Sequence, residues 1–187
     1  NLEWYMNNSN AGDHLFNDTN QNGNIDSGES WVARDDVWCR HQSESDSLKK
    51  GDLTIGYTGY EGSNHIGLEL QFGHVMGNHL NEQVLLVKTA WGGKSLQVDF
   101  RPPSSGGTVG PYYTQMMSEI QEALDNLNAD FGHTDGYEIA GFIWQQGWND
   151  MVNSTATAEY ATNLVNLAAD VRSELGIPDL PFIVGEL

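Results

Sequence analysis

Three short apolar runs constrain what this chain can fold into. Val84–Thr89 (VLLVKT), Ile139–Trp144 (IAGFIW) and Pro181–Gly185 (PFIVG) are rich in β-branched or aromatic residues and short for a buried helix. Such runs suit strands covered on both faces, as in a parallel sheet. Leu53–Tyr57 reads as a further strand. Between these runs the apolar spacing becomes helical. Leu68, Phe72, Val75, Met76 and His79 predict a helix over 69–80 with one apolar face. Met117, Ile120, Leu124 and Leu127 predict a second over about 112–128. Ala161, Leu164, Val165, Ala168, Val171 and Leu175 predict a third over about 156–175, stopped by Gly176 and Pro178. Residues 100–111 hold Pro102-Pro103, Gly106-Gly107 and Pro111, and read as loop. This rhythm predicts an α/β fold, a parallel sheet with helices packed on its faces.

The chain has 187 residues, enough for one such domain. Residues 1–30, rich in Asn, Asp, Ser and Gly, read as an irregular N-terminal region, and 31–187 as the domain. The chain starts at Asn1 and stops shortly after an apolar run, so it is expected to be trimmed or a fragment. Eight basic residues face 26 acidic ones, a formal charge of -18. A field of that sign repels nucleic acid and anionic membrane surfaces. No apolar run reaches transmembrane length, so no membrane insertion is expected. Cys39 is the single cysteine, which excludes an internal disulfide and suits a small buried apolar residue.

In open α/β sheets, ligands sit beyond the carboxyl ends of strands. VLLVKT runs into Ala90-Trp91-Gly92-Gly93-Lys94-Ser95-Leu96, and IAGFIW runs into Gln145-Gln146-Gly147-Trp148-Asn149-Asp150. Paired glycines let a ligand approach backbone N–H groups, and a Gln amide beside a Gly offers a second donor. Together they can hold a developing oxyanion from two directions. The competing reading is that the glycines make turns and the Trp residues pack. Arg101 precedes a rigid Pro-Pro loop, where a guanidinium can bind a carboxylate or hydroxyls bidentately. It can equally form a salt bridge to one of many nearby acids. Ser95 reads as a loop residue whose hydroxyl caps the following turn, and Asp150 as a residue that ties its loop together. His65 and His74 flank the Glu69 block, either along a cleft or as structural histidines.

Three blocks occur in order: Gly67-Leu68-Glu69-Leu70-Gln71-Phe72-Gly73, Lys88 through Leu96, and Trp144 through Asp150. They resemble the internal blocks of the sialate O-acetylesterase-like group, carbohydrate esterase family six, within the SGNH hydrolase superfamily. The segment from Arg101 through Gly107 is similar to its environmental bacterial branch. The resemblance implies a three-layer α/β/α sandwich with a parallel, flavodoxin-like sheet, here incomplete at both ends. It implies a serine esterase that removes acetyl groups from sugars, with an acetylated carbohydrate as its partner. A bacterial secreted, periplasmic or cell-surface location goes with it. By motif position, Gly92 or Gly93 is the backbone oxyanion donor and Gln146 the side-chain donor. Trp91, Arg101 and Trp148 are the substrate-binding candidates. The nucleophile of such enzymes lies in a Gly-Gln-Ser-Asn block and the base in an Asp-x-x-His block. The first is absent from these residues. Asp130-Phe131-Gly132-His133 spells the second but lies ahead of the Gln block, where the group does not place it. Many relatives carry Glu where this chain has Trp148. The expectation is an enzyme whose Ser and His lie outside these residues. The alternative is a non-catalytic carbohydrate-binding or calcium-stabilised structural module on the same fold.

One further motif stands apart. Residues 18–29 fit the twelve-position EF-hand loop. Asp18, Asn20, Asn22 and Asp26 fall at ligand positions and Gly23 at the sharp turn. Asn24 offers its carbonyl, and Glu29 closes the loop. The expected cofactor is a structural calcium ion. The competing reading is an Asx-rich surface turn.

Overall fold

Arg34–Gln42 forms a nine-residue strand, β1, that its charges conceal in the sequence. Every second apolar residue points inward: Val37 and Cys39 are fully buried. Arg34 is neutralised locally, its Nε 2.7 Å from Asp36 Oδ1 and its Nη2 2.5 Å from Asp36 Oδ2. That hydrogen-bonded guanidinium holds the Asp36 carboxyl below the usual carboxylate range. The computed structural model describes residues 15, 17, 19, 26–42, 47–59, 65–132 and 135–186. They divide into two units, Asn1–Ala90 and Trp91–Leu187.

In the first unit β1 lies between β2 (Leu48–Leu53), which is antiparallel to it, and β3 (Val84–Lys88), which is parallel. The edge strand β2 carries Lys49 and Lys50, charges that discourage edge-to-edge pairing. The expected strand over Leu53–Tyr57 is therefore displaced: β2 ends at Leu53. Beyond it Tyr57 turns its ring inward, its hydroxyl donating to the Asp52 carbonyl at 3.0 Å.

Helix α1 (Leu68–His79) stands where the spacing predicts it, but with a different inner face. Leu68 is 47% and Val75 52% exposed, while Leu70, Gly73 and His74 are buried. A Cβ at Gly73 would overlap the Leu53 side chain. The glycine lets the helix sit close to the sheet, while Leu68 and Val75 are left outside. Glu69 and Lys88 form a buried ion pair, Nζ to Oε2 2.7 Å, with side chains 6% and 17% exposed. Lys88 Nζ also donates to the Tyr57 carbonyl at 2.6 Å, and the Gly67 N–H donates to Glu69 Oε1 at 2.9 Å. Cys39 is packed with Leu53 and Leu70, and burial pushes its thiol up to about 12.

His41 sits in the same interior at 2% exposure. Its Nδ1 is 3.0 Å from the Lys88 carbonyl, which can only accept, so Nδ1 carries the proton. Its Nε2 is buried without a hydrogen-bond partner among the described residues. Burial lowers the His41 pKa; of the nearby charges, Lys88 and Lys49 also lower it and Glu69 raises it. A histidine kept neutral when folded binds a proton more readily when unfolded. The stability it allows is therefore present above its unfolded pKa, about 6.5, and is lost as pH falls below that. The wild-type melting temperature is expected to fall more steeply from pH 7 to pH 5 than that of His41→Gln. Parallel profiles for the two proteins would contradict this.

In the second unit, β4 (Phe142–Trp144) pairs in parallel with β5 (Phe182–Val184), with the Phe142 and Phe182 rings stacked 5.0 Å apart. Helices α2 (Pro111–Asp125), α3 (Leu127–Phe131), α4 (Trp148–Met151) and α5 (Ser154–Leu175) complete it. The core gathers Leu96, Phe100, Met116, Trp144, Leu167 and Val171. Asn153 caps α5 by accepting from the Thr155 and Ala156 N–H groups, and Gly176 ends it in the left-handed region at φ 70°. The stop signal at Gly176 holds, whereas Val165, expected inside, is 69% exposed. The inner face of α5 runs through Ala156, Asn163, Leu167 and the expected Val171, with the expected Leu164 and Leu175 packed beside them and Ala161, like Val165, left outside.

The chain is thus α/β in the order of its elements. Two small sheets, one mixed and one parallel, stand among the described residues where a single parallel sheet was expected. None of the described helices is long and apolar enough to cross a membrane.

Candidate active site

The second unit brings together the loop after Ala90 and the loop that follows β4. Their joint is Asp150, on α4 and 1% exposed. Its Oδ2 accepts from the Leu96 N–H at 2.8 Å and its Oδ1 from the Gln97 N–H at 2.9 Å. Gln146 Nε2 donates to the same carboxylate at 2.7 Å and to the Lys94 carbonyl at 2.9 Å. Tyr160, on α5, donates its hydroxyl to the Gln146 carbonyl. Asp150 therefore ties the loops together, as its place in the sequence suggests.

These contacts change the reading of Gln146. An amide nitrogen has two hydrogens, and both are engaged inside the protein. Gln146 is a brace between the loops, and its amide is not an open oxyanion donor in this geometry.

Beside the brace is a recess of about 200 Å³, lined by Trp91, Gly93, Lys94, Gln145, Gln146, Gly147, Trp148 and Asn149. It is smaller than the roughly 300–1,000 Å³ of sites for drug-sized ligands. Gly93 is in the left-handed region at φ 69°, a conformation a side chain disfavours. The N–H groups of Gly92 and Gly93 make no hydrogen bond to a described residue, and both residues are exposed. Of the two, Gly93 lines the recess. Asn149 Nδ2 is 3.9 Å from where a Cβ of residue 93 would stand. The Asn149 side chain makes no hydrogen bond to another described residue. Sequence reasoning passed over it because Gln146, one turn earlier, matched the motif position. The available signal was Asn149 itself, two residues beyond Gly147 in the same loop.

Trp148 is 67% exposed at the rim. Trp91 is half-buried, its ring edge-on to Tyr112 at 5.2 Å and tilted against Phe100 at 5.9 Å. Lys94 Nζ stands 4.2 Å over the Tyr112 ring. Trp144 is 5% exposed and belongs to the core.

Arg101 is not brought to this recess. Its Nε donates to the Gly106 carbonyl at 2.7 Å and its Nη2 to the Ser105 carbonyl at 2.9 Å. Its Nη1 donates to the Gln97 carbonyl and to Glu159 Oε2, both at 3.1 Å. The fork is spent folding its own loop, so the expectation of a sugar contact at Arg101 gives way to the salt-bridge reading. Ser95 also acts locally: its hydroxyl donates to Asp99 Oδ2 at 3.0 Å and accepts from the Val98 N–H at 3.2 Å. It caps a turn. His65 is exposed and His74 is buried in the first unit. His133 lies outside the described residues, as do Asp18, Asn20, Asn22 and Asn24 of the expected calcium loop. Among the described residues, no group of three or more His, Cys, Asp or Glu side chains could hold a metal.

Comparison with known proteins now decides the family. The carbohydrate esterase family of sialic acid-specific acetylesterases matches residues 25–187. The chain belongs to this esterase family. No curated protein matches it. A protein of Arabidopsis thaliana, whose X-ray structure was solved at 1.6 Å resolution, is similar in fold with a TM-score of 0.59. The two are 19% identical over 82% of this chain and 58% of the plant protein, so the esterase-family chain spans little more than half that protein's length. A likeness at that identity concerns the fold. The matched range of this esterase-family chain includes both loops that line the recess.

Proposed function

We propose that this chain is the oxyanion-binding part of a carbohydrate O-acetylesterase, with the Gly93 N–H and the Asn149 amide as its donors. The observation that carries the reading is that both donors are unspent and share one recess, while Gln146 and Asp150 fix the loops that bear them. The nucleophile and base are a Ser and a His outside these residues. The Ser hydroxyl attacks the acetyl carbonyl carbon while the His takes its proton. The carbonyl oxygen becomes an oxyanion, held by the two donors where negative charge develops. Collapse expels the sugar oxygen, which takes the proton back from the His. Water then hydrolyses the acetyl-enzyme and releases acetate.

Trp148 supplies a face for the sugar ring, as its exposure at the rim allows. That exposure equally favours a non-catalytic sugar-binding module, and one variant separates the two. In the intact esterase, Asn149→Ala is expected to lower kcat about 10²–10³-fold with KM little changed, measured as acetate released from an acetylated sugar. A binding module would lose affinity and have no turnover to lose. Unchanged kcat in Asn149→Ala would remove Asn149 from the reaction.

A further inference from the structure

We propose that Tyr160 is a positioning residue of the recess, its hydroxyl fixing the backbone that carries the Asn149 amide. The hold on that backbone is independent of the esterase reading; its effect on turnover rests on that reading. Helix α4 is only four residues long, far too short to keep its shape unaided. It begins at Gly147, whose carbonyl accepts from the Asp150 N–H at 3.1 Å and the Met151 N–H at 2.9 Å. Asn149 stands in that turn, and its amide goes where the backbone of the turn goes.

Two hydroxyls of α5 hold this backbone. Thr157 and Tyr160, three residues apart, lie on one face of the helix. Thr157 Oγ1 donates to the Asp150 carbonyl at 2.9 Å, and Tyr160 Oη donates to the Gln146 carbonyl at 2.5 Å. The two carbonyls bracket Asn149. The Asp150 and Gln146 side chains tie the turn to the loop after Ala90, so its backbone position is left to α5.

The two holds differ. A hydroxyl has one hydrogen, and that of Thr157 is divided between the Asp150 and Asn153 carbonyls, each at 2.9 Å. The second acceptor for Tyr160, Gln146 Oε1, is farther off at 3.3 Å, so its hydrogen is committed to the carbonyl. Burial raises the Tyr160 pKa, which keeps that hydrogen in place. The hydroxyl oxygen in turn accepts from Trp144 Nε1 at 3.3 Å. Trp144 is a fixed donor: it is buried in the core, its ring edge-on to Phe100 at 5.2 Å, and its carbonyl accepts from the Gly185 N–H at 2.8 Å. A continuous chain of contacts thus runs from the core through the indole and the Tyr160 hydroxyl to the turn of Asn149.

Tyr160→Phe keeps the ring and its packing against the core and removes only the hydroxyl. In the intact esterase it is expected to lower kcat about 10–100-fold with KM little changed, the order of loss that a misplaced catalytic group brings. In an Asn149→Ala background the same substitution should lower kcat by less than about threefold, because it acts through Asn149. Equal losses in both backgrounds would overturn the proposal, since a residue that only stabilises the fold lowers both alike. Were Asn149→Ala itself to leave kcat unchanged, the esterase reading alone would fail, and a readout without turnover decides the role of Tyr160. In the isotope-labelled protein, the side-chain NH₂ signals of Asn149 should shift or broaden in Tyr160→Phe. Those of Asn166, which donates to Ser105 Oγ at 3.0 Å from elsewhere on α5, should stay. Unmoved Asn149 signals, or equal movement at both residues, would overturn the proposal. Should Tyr160→Phe fail to fold, 4-aminophenylalanine at position 160, which keeps a donor, gives the reciprocal test: Asn149 signals at their wild-type positions support the hold, and displaced ones overturn it.

Discussion

Asp150→Asn is expected to lower the unfolding free energy by about 2–4 kcal/mol, a large share of the stability of a domain this size. The carboxylate of Asp150 accepts from three donors, the Leu96 and Gln97 N–H groups and Gln146 Nε2. An Asn of the same shape has one acceptor oxygen and an NH₂. Whichever way its amide turns, hydrogens face at least one of those N–H groups. At 1% exposure, water cannot replace the lost acceptor. The loop after Ala90 would loosen, and the recess would lose its geometry with it. Denaturant unfolding of the two proteins measures the difference. A loss below about 0.5 kcal/mol would mean that the carboxylate is not the joint between the loops.

Lys88→Met is expected to cost about 3–5 kcal/mol, because it strands the Glu69 carboxylate in the interior of the first unit. Glu69 keeps the Gly67 N–H but loses its counter-charge. Replacing both partners, as Lys88→Met with Glu69→Leu, removes the stranded charge as well. The double variant should therefore recover most of the loss, since apolar pairs of similar volume often equal a buried ion pair. Denaturant unfolding of the single and double variants separates the two cases. A double variant less stable than Lys88→Met alone would contradict the account. It would show that the pair contributes net attraction beyond mutual neutralisation.

Much of the order of elements, and the two loops that line the recess, were legible in the sequence. Apolar runs marked β3, β4 and β5, and Gly176 marked the end of α5, because these depend on local spacing and on backbone conformation. Strand β1 was hidden because Arg34, Asp35, Asp36, Arg40 and His41 interrupt its apolar pattern, and their burial or pairing depends on distant partners such as Asn78 and Lys88. The inner face of α1 was misread for a related reason. Gly73 makes contact by lacking a side chain, which an apolar count cannot register. At the site, the glycine pair, Gln146 and Trp148 were legible as a cluster. The division of labour was not. A sequence does not reveal that the Gln146 amide is consumed by Lys94 and Asp150, leaving the Asn149 amide unspent beside Gly93.

Amide resonances of the isotope-labelled chain, followed by NMR during titration with an O-acetylated monosaccharide, test the central claim most directly. The Gly93 N–H and the Asn149 side-chain NH₂ should move together and saturate at one ligand concentration, with the Gln146 side-chain signals still. Movement of Gln146 in place of Asn149, or no saturable change at Gly93, would contradict the assignment of the recess.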